Sequence, residues 1–299
     1  MIVLFATATQ PIISVSRPGY VDPYFYSFMT MLIEFFIYIP IYLRERGKKQ
    51  TIKTFQAKYS RVKIITRILI VALIFAIALP LFYLGYDLST PITGSLMIKT
   101  SVLFSMAYGY VILREKVTKS QVLFSIIMIF GLSLTVTGGT FTGLVLNIGA
   151  LLLILVPFMW TIGHGMTKPI LGFLVSPNQV ITIRNAVGAL FMGIIYIFFF
   201  PLANFSWIFD PIVLISTIVI AISYALGHYG WYKTMIHLDL NKGTAIVAPT
   251  PILTGFLQWI VLGIPVTVFD MIGTAIVIIS IIFIMQGEHS TDKNKTPSN

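Results

Sequence analysis

The sequence contains no cysteine, and only 10% of its residues are charged. The lack of cysteine excludes disulfide bonds, thiol nucleophiles and metal sites with cysteine ligands. The shortage of charge is more informative, because soluble domains carry about 25% charged residues. With 57% hydrophobic residues among 299, the chain cannot cover itself with a water-facing surface. This composition excludes a cytosolic enzyme, a secreted domain and a disordered chain, and it indicates a membrane protein with several spans.

Acidic residues are scarce as well: 10 Asp and Glu stand against 20 Lys and Arg, which gives a net charge of +10. A basic balance of this size is typical of nucleic-acid-binding proteins. Here the basic residues lie between apolar runs, so we predict that they flank membrane spans and that no nucleic acid is a partner. No Lys or Arg precedes Arg17, so the N-terminus lacks the charged region of a signal peptide.

Motifs for catalysis or metal binding are missing from the sequence. It has no His-Glu-x-x-His, no Gly-rich phosphate loop and no Gly-x-Ser-x-Gly, which are the signatures of metalloproteases, nucleotide sites and serine hydrolases. His164 and His228 stand without a second ligand three or four residues away. We therefore predict no enzymatic activity, no metal and no other cofactor.

What the sequence does have is a series of apolar runs about 20 residues long, which predict ten transmembrane helices. Gly and Pro clusters such as Arg17-Pro18-Gly19 and Gly138-Gly139 separate them. A polar segment follows the last run and is predicted to be a disordered cytoplasmic tail at 288–299. The predicted helices are 2–17, 21–43, 62–85, 90–113, 119–138, 142–168, 177–200, 211–235, 241–263 and 267–287.

Basic residues fall on one side of this arrangement. All but three of the Lys and Arg residues lie in the even-numbered connections or in the tail. The exceptions are Arg17, on the other side, and Lys99 and Arg184, within spans. Loops rich in Lys and Arg are cytoplasmic, so we predict a multi-pass protein of the cell membrane with both termini in the cytoplasm.

The two halves of the chain resemble each other. A shift of 149 residues places Phe82-Tyr83 on Trp231-Tyr232 and the run Leu113–Thr118 on Leu262–Thr267. Each half holds five helices, an odd number, so the second half enters the membrane from the opposite side. The sequence thus predicts an all-α integral membrane fold of two inverted five-helix repeats, which is typical of secondary transporters. The repeats are residues 1–139 and 140–287.

The repeated turn resembles a known family. Leu113–Thr118 reads LREKVT and Leu262–Thr267 reads LGIPVT, and both are similar to the LGExLT-like turn of EamA-type transporters in the drug/metabolite transporter superfamily. The family's Glu is kept as Glu115 and is Ile264 in the second copy, while the Trp-Gly-like motif of the family's first helix is absent. The resemblance implies ten helices and transport of amino acids, metabolites, drugs or nucleotide sugars.

Polar side chains within spans are the candidate binding residues, because burying them in a membrane is unfavourable unless they have a role. We expect them to line one substrate cavity together with aromatic residues on the same helices. A shift of 154 residues matches His164 with Gln10, which predicts that these two lie on facing walls. The candidates are Gln10, Glu34, Lys99, His164, Arg184, His228 and Gln258, with Tyr83, Trp160 and Tyr232.

Two interpretations of the buried charges stay open. Lys99 and Arg184 favour a substrate with a carboxylate, such as an amino acid, an organic acid or a related metabolite. Alternatively, one of them forms a structural ion pair with Glu34, which is also a candidate for proton or ion coupling.

The ninth predicted helix contains Pro249 and Pro251 and is therefore predicted to be bent.

The sequence therefore predicts a secondary transporter that moves a small organic solute across the bilayer by alternating access. The alternatives are a lipid scramblase or flippase and a membrane subunit without transport activity. The fifth and tenth helices carry almost no polar residues inside, so we expect them at the periphery. The pattern is compatible with either a monomer or a homodimer.

Overall fold

The structure is a computed structural model that describes residues 2–46, 61–112, 114, 117–141, 148–172, 174–238, 243–244 and 246–293. Across these residues the regular structure is helical, apart from a single bridge between Leu171 and Val175. The helices are α1 (Ile2–Val15), α2 (Pro23–Arg46), α3 (Arg61–Asp87), α4 (Pro91–Ile98), α5 (Ser101–Ile112), α6 (Lys119–Thr137), α7 (Ile148–Thr167), α8 (Pro177–Phe199), α9 (Pro211–His237), α10 (Thr250–Leu262) and α11 (Val268–Lys293). Short 3₁₀ helices follow α7 and α8, at Lys168–Ile170 and Leu202–Phe209.

Eight segments of the described chain are long and apolar enough to cross a membrane, with α4 and α5 together counted as one, Pro91–Ile112. Two further apolar helices, α1 and α10, are shorter. Of the ten predicted spans, eight correspond to helical segments of full length, and the other two correspond to the shorter helices α1 and α10. Helix α1 is short because Arg17-Pro18-Gly19 follows it, and α10 is short because it begins only after the turn at Val247–Pro249.

Four helices begin with the same local signal, an oxygen-bearing side chain followed by proline. Thr90, Ser176 and Asp210 cap α4, α8 and α9 by accepting hydrogen bonds from backbone N–H groups of the first turn. Asp22 does the same for Tyr24 and Phe25 in α2. Proline suits the first helical position because its missing N–H would have no partner there, so these helix starts are fixed by sequence alone.

The fourth predicted helix, 90–113, is not continuous. Helix α4 ends at Ile98, and Lys99 and Thr100 form a tight turn in which Lys99 N donates to Leu96 O and Thr100 N to Met97 O. Such bonds between residues i and i−3 tighten the backbone and interrupt the α-helix.

The last helix is longer than predicted. Helix α11 continues to Lys293, so residues 288–293 of the predicted disordered tail are helical, and 294–299 lie outside the described residues.

Helices α6 and α11 pack on each other at the periphery. The rings of Phe124 and Phe283 stack with centroids 4.3 Å apart, and Gln121 Nε2 donates to Ile284 O at 3.2 Å. The backbones approach so closely that a Cβ atom on Gly273 would lie 2.8 Å from the carbonyl oxygen of Gly131. Small residues permit this kind of contact between membrane helices. The remaining helices form the centre of the bundle, where α3 packs on α7 and α8, and α1 packs on α9 and α10.

Candidate functional site

A cavity of about 120 Å³ lies in the centre of the bundle. Its walls come from α1, α3, α4, α5, α7 and α9 and from the segment around Val247, so both halves of the chain contribute. No described residue of α6 or α11 is part of its lining, in agreement with their predicted peripheral position. The lining includes Gln10, Lys99, Trp160, His164 and His228, which are five of the ten residues that the sequence analysis selects.

Lys99 lies at the break between α4 and α5 and is only 4% exposed. Its Nζ atom donates a hydrogen bond to the carbonyl oxygen of Val247 at 2.5 Å. In a regular helix that carbonyl would accept from the N–H of residue 251, but residue 251 is proline and has none. Thr250 donates to the same oxygen through Oγ1 at 2.5 Å and through its backbone N at 3.2 Å. The alternative pairing of Lys99 with Glu34 is therefore not what the structure shows.

Glu34, Arg184 and His228 form a separate buried cluster beside the cavity. His228 Nδ1 lies 2.7 Å from Glu34 Oε1 and 2.8 Å from Arg184 Nη2, and the two charged atoms are themselves 3.7 Å apart. A ring nitrogen donates when it carries a proton and accepts when it does not. His228 can therefore bond Glu34 or Arg184 through Nδ1, but it cannot bond both at once.

Arg184 is held by aromatic rings as well as by this cluster. Its guanidinium carbon lies 4.5 Å from the centroid of the Phe75 ring, and Nη1 donates to Tyr232 Oη at 3.4 Å. Glu34 and Arg184 are 2% and 1% exposed, and with His228 they border a second space of only about 10 Å³. Of the three, His228 alone also lines the larger cavity.

His164 and Gln10, matched by the repeat, lie on α7 and α1 and both line the cavity. His164 sits among rings, with centroids 5.1 Å from Phe75, 5.5 Å from Trp231 and 5.7 Å from Tyr232. Gln10 faces Gly227 on α9, where a Cβ atom would lie 3.2 Å from Gln10 Nε2. The sequence-based pairing of these two residues thus corresponds to two walls of one space.

Other candidates lie away from the cavity. Gln258 is 1% exposed, and its Oε1 accepts from Ile92 N at 2.9 Å, so it satisfies an N–H group in the first turn of α4. Tyr83 hydrogen-bonds with Thr30 at 3.0 Å and packs against Tyr26. Tyr232 contacts Arg184 and His164 but is not part of the lining. Tyr83 and Gln258 are not among the residues that line this cavity, and both side chains are engaged in contacts between helices.

The structure also adds residues that the sequence analysis did not select. Ser95, Ser105 and Trp231 line the cavity, and their Oγ and Nε1 atoms are buried without a hydrogen-bond partner in the described chain. Ser95 precedes Lys99 by four residues, a spacing that places side chains on one helix face. The four-residue spacing from Lys99 and the 149-residue shift that matches Ser95 to Thr244 could have identified Ser95 from the sequence.

Aromatic rings make most of the apolar wall. The Trp160 ring lies 5.7 Å from the Phe82 ring at 31° and 6.4 Å from the Phe75 ring at 14°. Tyr86 and Tyr224 complete this wall. The described residues contain no group of three or more His, Asp or Glu side chains placed to hold a metal. The site thus combines a flat aromatic wall with a few hydrogen-bonding groups, which is the usual make-up of a small-molecule site.

Polar contacts link neighbouring segments at the ends of the bundle. At one end, Arg17 pairs with Asp87 at 2.7 Å and Tyr20 donates to Asp210 at 2.6 Å. That hydrogen bond lowers the pKa of Asp210 and raises the pKa of Tyr20. At the other end, Ser176 Oγ donates to Glu45 at 2.7 Å, which joins the end of α2 to the start of α8.

Known proteins are similar to this chain in sequence and in structure. The chain is 24% identical over 211 residues to an uncharacterized transporter of Bacillus subtilis (strain 168), YyaM, a match that covers 68% of this chain and 67% of the relative. A solved crystal structure of a protein covers 99% of this chain and 96% of its own length, with a TM-score of 0.66 and 13% identity. At that identity the second likeness shows the fold alone.

The sequence also matches a protein family in both halves, over residues 1–137 and 147–286. The family consists of membrane transporters, which agrees with the apolar helices, and it points to a transporter rather than an enzyme. Together, the two family matches and the multi-pass helical structure identify the chain as a member of the EamA-like transporter family.

Proposed function

We propose that this protein is a secondary transporter that moves a small organic solute, such as an amino acid, an organic acid or a related metabolite, by alternating access. The observation that carries the proposal is the central cavity, whose lining joins both halves of the chain and holds a buried ammonium group. A site at the interface of two repeats is where transporters of this kind bind their substrates.

The positions of the two helix breaks support a repeat. The α4–α5 break begins at Lys99, and the turn before α10 covers Val247–Pro249, so the shift of 149 residues that aligns the halves places one break on the other. We therefore propose ten spans in two inverted repeats, residues 1–139 and 140–287, with both termini in the cytoplasm. Interrupted helices at matching positions are the typical mark of a transporter site.

Transport is tested in two steps. A compound screen by thermal unfolding in detergent should find solutes that raise the melting temperature, because a ligand that binds only the folded state stabilises it. The purified protein in liposomes should then carry those solutes across the membrane. If no solute stabilises the protein and labelled lipids exchange between leaflets instead, it is a scramblase. If neither occurs, the result favours a subunit without transport activity.

Orientation is tested by single cysteines, because the chain has no native cysteine to interfere. We expect Gln50→Cys, in the basic connection after α2, to be labelled only from the cytoplasmic side. Thr140→Cys, in the connection after α6, should be labelled only from outside. The reverse pattern would overturn the orientation without affecting the fold.

A further inference from the structure

Of the uncommitted hydrogen-bonding groups in the cavity, those of Lys99 and Trp231 can only donate, whereas the Ser95, Ser105 and Tyr224 hydroxyls and His164 Nδ1 can donate or accept. An ammonium group has three N–H bonds, and Lys99 uses one of them on Val247 O. The indole Nε1 of Trp231, a donor only, and the hydroxyls of Ser95 and Ser105 line the same space without a partner in the described chain. Buried donors of this kind call for a ligand that accepts, and a carboxylate accepts most strongly.

The strongest acceptors near the cavity, a backbone carbonyl at a helix break and a carboxylate, are already engaged. Val247 O receives hydrogen bonds from Lys99 Nζ, Thr250 Oγ1 and Thr250 N, which occupies both lone pairs of the carbonyl. Glu34, the carboxylate beside the cavity, is 2% exposed and engaged by His228 and Arg184. A ligand ammonium group would have to compete with Lys99 or Arg184 for these oxygens, so an amine is disfavoured at the same site.

The rest of the ligand would meet rings. Trp160, Phe75 and Phe82 lie side by side, with Tyr86 on the same wall. Aromatic groups pack favourably against such surfaces, by about 0.5–1.5 kcal/mol beyond the burial of their area. A flat ring attached to the acid by a short linker would place its body against Trp160 while its carboxylate reaches Lys99.

We propose that the substrate class of this cavity is a small aromatic carboxylate without an amino group. Its carboxylate accepts hydrogen bonds from Lys99 and from the Ser95 and Ser105 hydroxyls, and its ring packs on Trp160 and Phe82. The proposal rests on the proposed transport function, since it names the solute that the transporter moves.

The test uses four probes that share one phenyl ring and a linker of similar length: 3-phenylpropionate, phenylalanine, phenethylamine and 3-phenylpropanol. Thermal stabilisation of the full-length protein in detergent gives an apparent affinity for each. We expect 3-phenylpropionate to bind at least tenfold more tightly than phenylalanine and phenethylamine. Equal or tighter binding of phenylalanine or phenethylamine, or no binding of any acid in the series, would overturn the proposal.

Two variants locate the binding groups. Lys99→Met should weaken 3-phenylpropionate by about 10- to 100-fold, as expected for loss of a charged hydrogen bond, and leave the affinity for 3-phenylpropanol unchanged. Lys119→Met, at an exposed site outside the cavity, removes the same charge and should have no effect. If Lys99→Met does not fold, Trp160→Leu tests the site independently. We expect about 3- to 10-fold weaker binding of both compounds, whereas the 60% exposed Trp259, changed to Leu, is the neutral control.

Liposome flux separates this proposal from the proposed function. If 3-phenylpropionate binds as expected but is not carried across the membrane, the substrate class stands as a ligand class and the transport function fails. If the protein carries phenylalanine or a cation in preference to the acid, transport stands and the substrate class is wrong. Loss of binding in Lys119→Met or Trp259→Leu equal to that in the cavity variants would place the site elsewhere and overturn the assignment.

Discussion

The ammonium group of Lys99 donates a hydrogen bond to the carbonyl of Val247, which lies 148 residues later in the chain. The bond joins the break between α4 and α5 to the turn before α10. The shift of 149 residues that aligns the two halves places these two interruptions on each other. The carbonyl is available because Pro251 cannot supply the helical N–H. A charged side chain in one half thus adds to the turn hydrogen bond that Thr250 N donates to the same oxygen at 3.2 Å in the other half.

This relationship predicts an unusual stability pattern. Lys99→Met should melt at the same or a higher temperature, because it removes a buried charge that has no carboxylate partner, while Thr250 still serves the Val247 oxygen. The double variant Lys99→Met, Thr250→Val leaves that oxygen with the backbone N–H of Thr250 as its remaining donor. We expect it to lose about 0.5–1.5 kcal/mol relative to Lys99→Met alone, measured by thermal unfolding in detergent. If Thr250→Val costs the same with and without Lys99, the two side chains do not share the carbonyl.

Sequence patterns predicted the helices well where the signal is local. Asp22-Pro23, Thr90-Pro91 and Ser176-Pro177 each start a helix, and Gly138 ends one with a positive φ of 56°. The break after Ile98 was not predictable in this way, because neither Gly nor Pro stands there. Its Lys99 side chain donates one hydrogen bond to a carbonyl from the other half of the chain, and only the folded structure shows that contact.

The residues of the candidate site were likewise predictable from the sequence only in part. The rule of rare polar residues in apolar spans selected Gln10, Lys99, His164 and His228, and all four line the cavity. The same rule also selected Gln258, because a polar side chain that satisfies a helix end looks no different in the sequence from one that faces a ligand. Gln258 bonds to Ile92, 166 residues earlier. Partner identity over such distances is set by packing, which periodicity does not encode.

The close pairing of α6 and α11 predicts that Gly273 cannot be enlarged. A Cβ atom there would lie 2.0 Å from Thr135 Oγ1 and 2.8 Å from Gly131 O. Because the second contact is backbone, the helices must separate, and we expect Gly273→Ala to lose about 1–3 kcal/mol of stability. Gly19→Ala is the control, since its added carbon would meet no described atom within 4 Å. Equal melting temperatures for the two variants would contradict the predicted packing.

The contact between Tyr20 and Asp210 predicts a pH effect at one end of the bundle. The Tyr20 hydrogen bond lowers the pKa of Asp210, so its contribution is present above the pKa of the unfolded state and is lost as the pH falls through the folded value. Tyr20→Phe removes the bond and should raise the pKa of Asp210. The variant should therefore be less stable than the parent at neutral pH and lose less stability on acidification, so that the two melting temperatures converge below about pH 4. Melting temperatures between neutral and acid pH measure this.

The control for that experiment is Tyr110→Phe, at a tyrosine that is 60% exposed. It should leave the acid branch of the stability curve unchanged. Identical acid branches for the parent and Tyr20→Phe would show that the Tyr20 hydroxyl does not act on Asp210.

The cluster of Glu34, His228 and Arg184 predicts that its two charges are not equally replaceable. Glu34→Gln leaves Arg184, 1% exposed, as a buried cation whose carboxylate partner is gone. Breaking a buried pair in this way costs about 3–5 kcal/mol. Arg184→Met should cost less, because Glu34 keeps the hydrogen bond from His228 at 2.7 Å. The double variant Glu34→Gln, Arg184→Met should recover part of the loss, since no unpaired charge remains.

Thermal unfolding of the parent, the two single variants and the double variant gives the coupling free energy between Glu34 and Arg184. A double variant less stable than Glu34→Gln would show that Arg184 contributes through its contacts with Phe75 and Tyr232 instead of through its charge.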